Sequence, residues 1–304
     1  MSTITQPRGS AVDQAAVPAG TPGPAAPIAA ATEPGAGTAG ASVRIRRLDR
    51  LRRSAPTIAL HAAFVLVVLV AWQLASGTLI DPLLVSSPIE VLARLGDWIV
   101  TGHLFFHAQF TLIALAAGFT AGAVVAFALA VVLAGFPRFG RFAEIYIIVF
   151  NGIPTIALVP LFIVWFGFGL ETKIFMGYLT AFFIVFIASF QGLRSTDPKY
   201  LELARVLEAS RLQTLFRFRI QATLPFLASA FKLALPATAL AVVTAEFLGS
   251  NRGLGYLLIR ASNLLDMASL FAAVLIVTAL VQALSLTASS VESRLLVWIP
   301  KEKR

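Results

Sequence analysis

Residues 107–135 carry no Asp, Glu, Lys or Arg, and they form one of several stretches in this chain too long and too apolar to sit in water. Comparable stretches cover 57–77, 142–167, 173–193, 224–248 and 267–290. About 20 apolar residues in a helix are enough to cross the hydrocarbon core of a bilayer. Inside that core every backbone N–H and C=O must be paired within the protein, and a helix does so within its own segment. The chain is therefore expected to be an all-α membrane protein with six transmembrane helices. Composition agrees, because 58% hydrophobic and 13% charged residues leave too little polar surface for a soluble domain of 304 residues. The absence of cysteine excludes a disulfide framework and a thiolate metal site.

The charges orient the spans. With both termini cytoplasmic, 19 of the 24 basic residues lie on the cytoplasmic side: at the amino end, in 136–141, in the loop 194–222 and in the tail from Arg294. Lys and Arg in such flanking segments are retained in the cytoplasm, which sets topology. Arg94, Lys173, Arg252 and Arg260 fall outside, and Lys232 lies within a span. The net charge of +9 is thus a statement about topology, and no nucleic-acid partner is expected. Residues 1–43 are a mixture of Ala, Pro, Gly and Thr that cannot bury enough surface to fold, and they read as a disordered tail. No apolar core near the start suggests a cleaved signal peptide. The expected organisation is a tail and basic segment at 1–56, a transmembrane domain at 57–293 and a basic tail at 294–304.

Local patterns add detail. Ser87-Pro88 precedes a short amphipathic helix over 89–100, and Asp81-Pro82 marks a break before it. Gly118, Gly122, Ala126, Ala130 and Ala134 recur every four residues, a seam that lets another helix backbone come close. After a basic turn at 136–141, the third span carries Pro154 and Pro160, which free carbonyls at membrane depth and make either a kink or a path-lining segment. Glu144 and Glu246 lie near span ends and suit the interface, whereas Lys232 is deeper and either snorkels or faces a path. His103 and His107 stand four apart, but without a third ligand of suitable spacing no metal site is expected.

One long polar insertion separates the fourth and fifth spans. Residues 200–225 read YLELARVLEASRLQTLFRFRIQATLP. Asp197-Pro198 supplies an N-cap and a proline at the first helical position, so a helix starts there. It carries Leu201, Ala204 and Leu207 on one face and Glu202, Arg205 and Glu208 on the other. Such a helix lies on a membrane surface or fills a groove on a partner. The chain has no glycine-rich loop ending in Lys-Ser or Lys-Thr, so it does not cradle a nucleotide phosphate in that way. It also lacks His-Glu-x-x-His, Gly-x-Ser-x-Gly and paired intramembrane aspartates, which leaves a membrane-embedded enzyme without a catalytic constellation. No cofactor is implied.

Glu202-Leu203-Ala204 and the loop after it resemble the EAA signature of bacterial ABC-transporter permease subunits. Two further segments narrow the likeness. The first holds Ile153-Pro154, Ala157, Pro160-Leu161 and Trp165-Phe166-Gly167, and the second reads TAEFLGSNRGLGYLL over 244–258. Both are similar to permeases for nitrate, aliphatic sulfonates, taurine and related small solutes. The resemblance implies a type I importer permease in the inner membrane, working as a dimer with a second permease chain, two cytoplasmic ABC ATPase subunits and an extracytoplasmic solute-binding protein. It implies ATPase coupling through Glu202, Leu203, Ala204, Arg205 and Leu207. Pro154, Pro160, Lys232 and Glu246 are the candidates for the translocation path or gate, and Gly118 and Gly122 for helix packing. The family places glycine where this chain has Glu208 and proline where it has Gln221, so the helix is expected to run about one turn longer. Those departures also motivate an alternative, a non-transporting scaffold or regulatory subunit with the same fold.

Overall fold

The computed structural model describes residues 57, 59–81 and 84–296. The tail at 1–43, the arginine-rich segment at 44–53, Pro82, Lys301, Lys303 and Arg304 lie outside the described residues. The chain divides into two units, Met1–Ala63 and Phe64–Arg304. The described part of the first is the start of one helix, where His61 Nδ1 lies 2.6 Å from the Thr57 carbonyl oxygen. The second unit holds the rest.

Among the described residues the secondary structure is helical, apart from an isolated bridge between Ser76 and Ile80. An apolar helix α1 (Ala59–Ala75) comes first. Then follow α2 (Pro88–Val100), α3 (His103–Ala134), α4 (Pro137–Asn151), α5 (Val159–Phe166) and α6 (Leu170–Arg194). The polar insertion forms α7 (Pro198–Val206) and the single turn α8 (Arg211–Thr214), which a π turn at Leu215–Arg219 joins to α9 (Ile220–Leu248). Helices α10 (Leu254–Asn263) and α11 (Met267–Leu295) complete the chain.

Among the described residues four helices are long and apolar enough to cross a membrane: α3, α6, the run Arg211–Leu248 that ends in α9, and α11. A fifth is present if the bent pair α4 and α5 counts as one span. The stretch expected as the first of six spans is α1, which is apolar but shorter than these.

Local chemistry explains the boundaries. Ser87 accepts from the Glu90 N–H while the Glu90 side chain returns to the Ser87 N–H, so a capping box starts α2 with Pro88 at its first position. The basic turn expected at 136–141 is shorter than that, because α4 already begins at Pro137 and takes Arg138 and Arg141 into its first turns. Between α4 and α5 the chain bends by 81°. Only Pro154 stands in this break. Pro160 occupies the second position of α5, where its missing N–H would have had no intrahelical partner, so it interrupts nothing. Pro225 and Pro236, by contrast, lie inside α9 without ending it.

Helix α6 is the centre of the bundle. A Cβ at Gly118 would stand 2.7 Å from the Ile174 carbonyl oxygen, and one at Gly122 only 2.5 Å from that of Tyr178. The seam of α3 therefore packs on α6 of the same chain at backbone contact, as close approach by small residues requires. On the opposite side a Cβ at Gly177 would press at 3.1 Å on both Thr238 and Val242 of α9. Ala126, Ala130, Phe186, Phe190 and Ala234 fill the space where the three helices meet. A second core joins α2, α10 and α11 through Val91, Trp98, Leu254, Leu257 and Ala273. Outward faces stay apolar, with Val124, Val164, Leu233 and Leu286 all more than half exposed. Such a surface suits hydrocarbon rather than water.

The α3–α6 contact makes a specific prediction. Gly122→Val would drive a branched side chain into the Tyr178 carbonyl, and overpacking of this kind costs about 1–3 kcal/mol. The thermal unfolding midpoint of the purified protein, followed by tryptophan fluorescence, should fall. A midpoint equal to that of the parent would mean that α3 and α6 are not in backbone contact.

Candidate functional site

At one end of the bundle four elements meet around a carboxylate. Glu246, on the last turn of α9, is fully buried rather than interfacial as its place near a span end suggests. From α3, the Thr111 hydroxyl lies 2.9 Å from both carboxylate oxygens and accepts in turn from the Leu254 N–H, also at 2.9 Å. The Gly255 N–H donates to Glu246 Oε2 at 2.9 Å. These donors belong to the first turn of α10, whose N-terminal dipole favours negative charge. Lys173 of α6, itself buried, brings its ammonium to 3.9 Å from Oε1 and donates to the Arg252 carbonyl oxygen at 2.8 Å. His107 accepts from the Gly253 N–H at 3.2 Å through Nδ1. That nitrogen is thereby used in holding the loop, and its neighbour His103 meets it edge-on with ring centroids 4.6 Å apart.

Two glycines at this turn are required by close contacts, one with the carboxylate and one with the backbone of α9. Gly253 has φ +117°, and a Cβ there would lie about 2.1 Å from Glu246 Oε1. A Cβ on Gly255 would meet the Val243 carbonyl oxygen at 2.2 Å. Arg252 lies over the rings of Phe106 and Phe110, at 5.8 and 5.2 Å from their centroids, and closes the loop on α3. Sequence reasoning found Glu246 and the glycines but left Lys173 as an outside charge and gave no role to Thr111. The usable signal was the cost of a charge near membrane depth, which calls for an opposite charge and hydrogen-bond donors close by.

The insertion after α6 forms a second feature. Asp197 caps α7 by accepting from the Lys199 N–H at 2.9 Å, with Pro198 at the first helical position, as the sequence indicates. The helix is not longer than the family pattern implies. It ends at Val206, and Glu208 itself takes the left-handed conformation with φ +47°. The Ala209 N–H bonds to the Ala204 carbonyl oxygen at 2.9 Å and the Glu208 N–H to that of Arg205 at 3.0 Å. This is a Schellman closure. Backbone hydrogen bonds thus impose on glutamate the angles that glycine would adopt freely.

Ala204 faces inward and is buried, while Leu203, Val206 and Leu207 are 46%, 80% and 64% exposed. Glu202 and Arg205 are exposed beside them. Of the other sequence candidates, Pro154 stands in the bend between α4 and α5, and Pro160 is helical. Lys232 is paired with Glu292 of α11 at 2.9 Å and is half-exposed, so a partner on the neighbouring helix meets its charge. Glu144 is paired with Arg194 at 2.8 Å. The structure does not bring Lys232 and Glu246 together.

Known proteins resemble this chain in sequence and in fold. Residues 118–296 match the family described as "Binding-protein-dependent transport system inner membrane component". A Bacillus subtilis (strain 168) protein named for aliphatic sulfonates transport, the permease protein SsuC, is 31% identical over 76% of this chain and 84% of its own length. The formylaminopyrimidine transport permease protein ThiX of Halalkalibacterium halodurans is 29% identical over 79% of this chain and 95% of its own length. For the taurine transport system permease protein TauC of Escherichia coli (strain K12) the identity is 25%, over 75% and 84%. A solved chain from the inward-facing MetNI methionine ABC transporter (CY5 native crystal form) superposes with TM-score 0.56 at 17% identity. It covers 63% of this chain and 95% of that one, a likeness of fold.

Two outcomes follow from these contacts. Glu246→Leu leaves Lys173 and the Gly255 N–H buried without their partner, and breaking a buried pair costs about 3–5 kcal/mol. Chemical denaturation in detergent micelles should register a loss of that order, and Glu246→Gln, which keeps an acceptor, a smaller one. Glu208→Gly relieves a left-handed strain of about 1–2 kcal/mol at an exposed position. Its midpoint should rise or stay level once the greater freedom of unfolded glycine is offset. A clear fall would mean that the Glu208 side chain makes contacts the turn needs.

Proposed function

The chain belongs to the family of binding-protein-dependent transport system inner membrane components, and from that premise we propose that it forms the solute path of an ATP-driven importer and is coupled to a separate ATPase through the segment 200–225. It is a multi-pass protein of the inner membrane, and the relatives are transport permeases rather than enzymes. In this reading α1, α3, the bent pair α4–α5, α6, α9 and α11 are six spans with both termini cytoplasmic. The clustering of basic residues at 136–141 and 194–222 supports that orientation. A second permease chain completes the path, and an extracytoplasmic binding protein delivers the solute.

The observation that carries the coupling assignment is the form of α7. It is a short helix fixed at both ends, by the Asp197 cap and the Schellman turn, with Ala204 turned in and Leu203, Val206 and Leu207 turned out. Exposed apolar side chains on a rigid element suit a groove on a partner protein. ATP-driven closure of the ATPase pair moves this helix. The displacement passes to the spans as a rigid-body change between inward- and outward-open states, each stabilised by different contacts. Pro154 is assigned to the path or gate through the bend it stands in, and Lys232 through its ion pair between α9 and α11. Pro160 and Glu246 act at one remove, Pro160 by starting α5 and Glu246 by holding the end of α9. The solute is a small molecule of the class the relatives are named for, sulfonate or taurine, or a similar solute such as nitrate.

The scaffold alternative rested on Glu208 and Gln221. Glu208 makes the turn expected of glycine, and Gln221 is exposed in the first turn of α9, so neither residue now favours that alternative. ATP hydrolysis by the permease–ATPase complex in lipid, with and without binding protein, discriminates the two. Leu207→Asp should reduce stimulated hydrolysis by roughly tenfold or more, since it buries a charge in an apolar contact, and Glu202→Ala should reduce it less. Parent-like stimulation in both variants would remove α7 from the ATPase interface.

A further inference from the structure

Beneath α7 three arginines from separate elements line one cavity of ≈ 180 Å³: Arg141 of α4, Arg194 at the end of α6 and Arg219 of the π turn. Thr196, Ala134 and Leu201 of α7 contribute to its walls. Thr196 is 7% exposed, and its Oγ1 has no hydrogen-bond partner. Arg194 is engaged by Glu144 at 2.8 Å. Arg219 reaches the Ala134 carbonyl oxygen at 3.5 Å, the long limit of a hydrogen bond. For Arg141 there is no hydrogen-bond or ion-pair partner among the described residues. Asp197, next in sequence to Thr196, accepts from the Lys199 N–H as the cap of α7.

The cavity thus has three guanidinium groups, one of them neutralised, and a buried hydroxyl with nothing to bond. A cation near the carbonyl end of α3 is favoured by the helix dipole, which accounts for Arg219. It does not account for Arg141, which sits near the amino end of α4, nor for Thr196. Water can satisfy the hydroxyl and hydrate the exposed Arg141 and Arg194, but it brings no negative charge to the guanidinium groups. A tetrahedral oxyanion satisfies both, because its several acceptor oxygens match planar guanidinium forks and a hydroxyl donor. The volume equals that of about six waters, room for a phosphate group with part of its hydration.

We propose that this cavity binds a phosphate group, carried either by free phosphate or by an anionic lipid headgroup. With Leu201 in its wall, the bound anion ties α7 to the ends of α3, α4 and α6. The site stands on its own geometry and does not depend on the coupling role of α7.

The test uses the full chain in a glycosidic detergent, so that no lipid phosphate is present, and follows its unfolding midpoint. Inorganic phosphate and short-chain phosphatidic acid are titrated separately, with chloride at matched ionic strength as the reference. For the parent, at least one of them should raise the midpoint saturably. Arg141→Gln and Thr196→Val should each weaken the apparent affinity roughly tenfold or more, the scale of a lost hydrogen bond to a charged group. Arg217→Gln, exposed and outside the cavity, should leave it unchanged. Thr196→Val removes a hydroxyl that has no protein partner, so without anion its midpoint should match or exceed that of the parent. A response to both additives assigns the site to free phosphate as well as lipid, and a response to phosphatidic acid alone assigns it to a headgroup. The proposal fails if neither additive shifts the parent, or if Arg141→Gln and Thr196→Val respond like the parent.

Discussion

A carboxylate removed from water has to be met by charge or by donors from the protein, and at Glu246 that requirement organises one whole end of the molecule. Thr111 and His107 come from α3, Lys173 from α6 and the Gly255 N–H from α10. Because a single side chain on α9 draws on three other helices, none of them can move alone without leaving a buried polar group unpaired. The turn between α9 and α10 is shaped by the same demand. Gly253 and Gly255 are there because any side chain would occupy the space of the carboxylate or the backbone beneath it. In the proposed mechanism, where the spans move as rigid bodies, this cluster would hold one end of the bundle rigid.

The middle of the bundle is held by a different physics. In lipid there is little hydrophobic gain in bringing helices together, so contact depends on how closely backbones can approach. Gly118 and Gly122 allow α3 to lie against the carbonyls of α6, and Gly177 allows α6 to lie against α9. The stacked rings of Phe186 and Phe190 then fill the wider part of the wedge. Helix α6 is thus flanked on both sides, and the polar insertion leaves directly from its end. In the proposed coupling, motion of α7 would therefore pass first to α6.

How much was legible beforehand depended on the kind of signal. The amphipathic start of α7 was readable because Asp197-Pro198 is a local cap, complete within two residues. Its end was misread, since the absence of glycine at 208 suggested a longer helix. Two backbone hydrogen bonds instead hold Glu208 at positive φ. The same distinction separates the prolines of the third span. Pro154 marks the bend, whereas Pro160 sits at a helix start, where proline is at ease.

The sequence by itself determined the membrane class and the position of the long spans, because hydropathy over about 20 contiguous residues is a property of the chain and its solvent alone. It also carried the family likeness, through short contiguous segments. The partners of the charges were decided only in the tertiary structure. Thr111 and Glu246 are 135 positions apart, and Lys232 and Glu292 are 60 apart. No local pattern announces such pairs, since they exist only once the helices have packed in one register. The arginine-lined cavity belongs to the same class. In sequence its three arginines are scattered basic positions that serve to orient the spans, and folding brings them around one space.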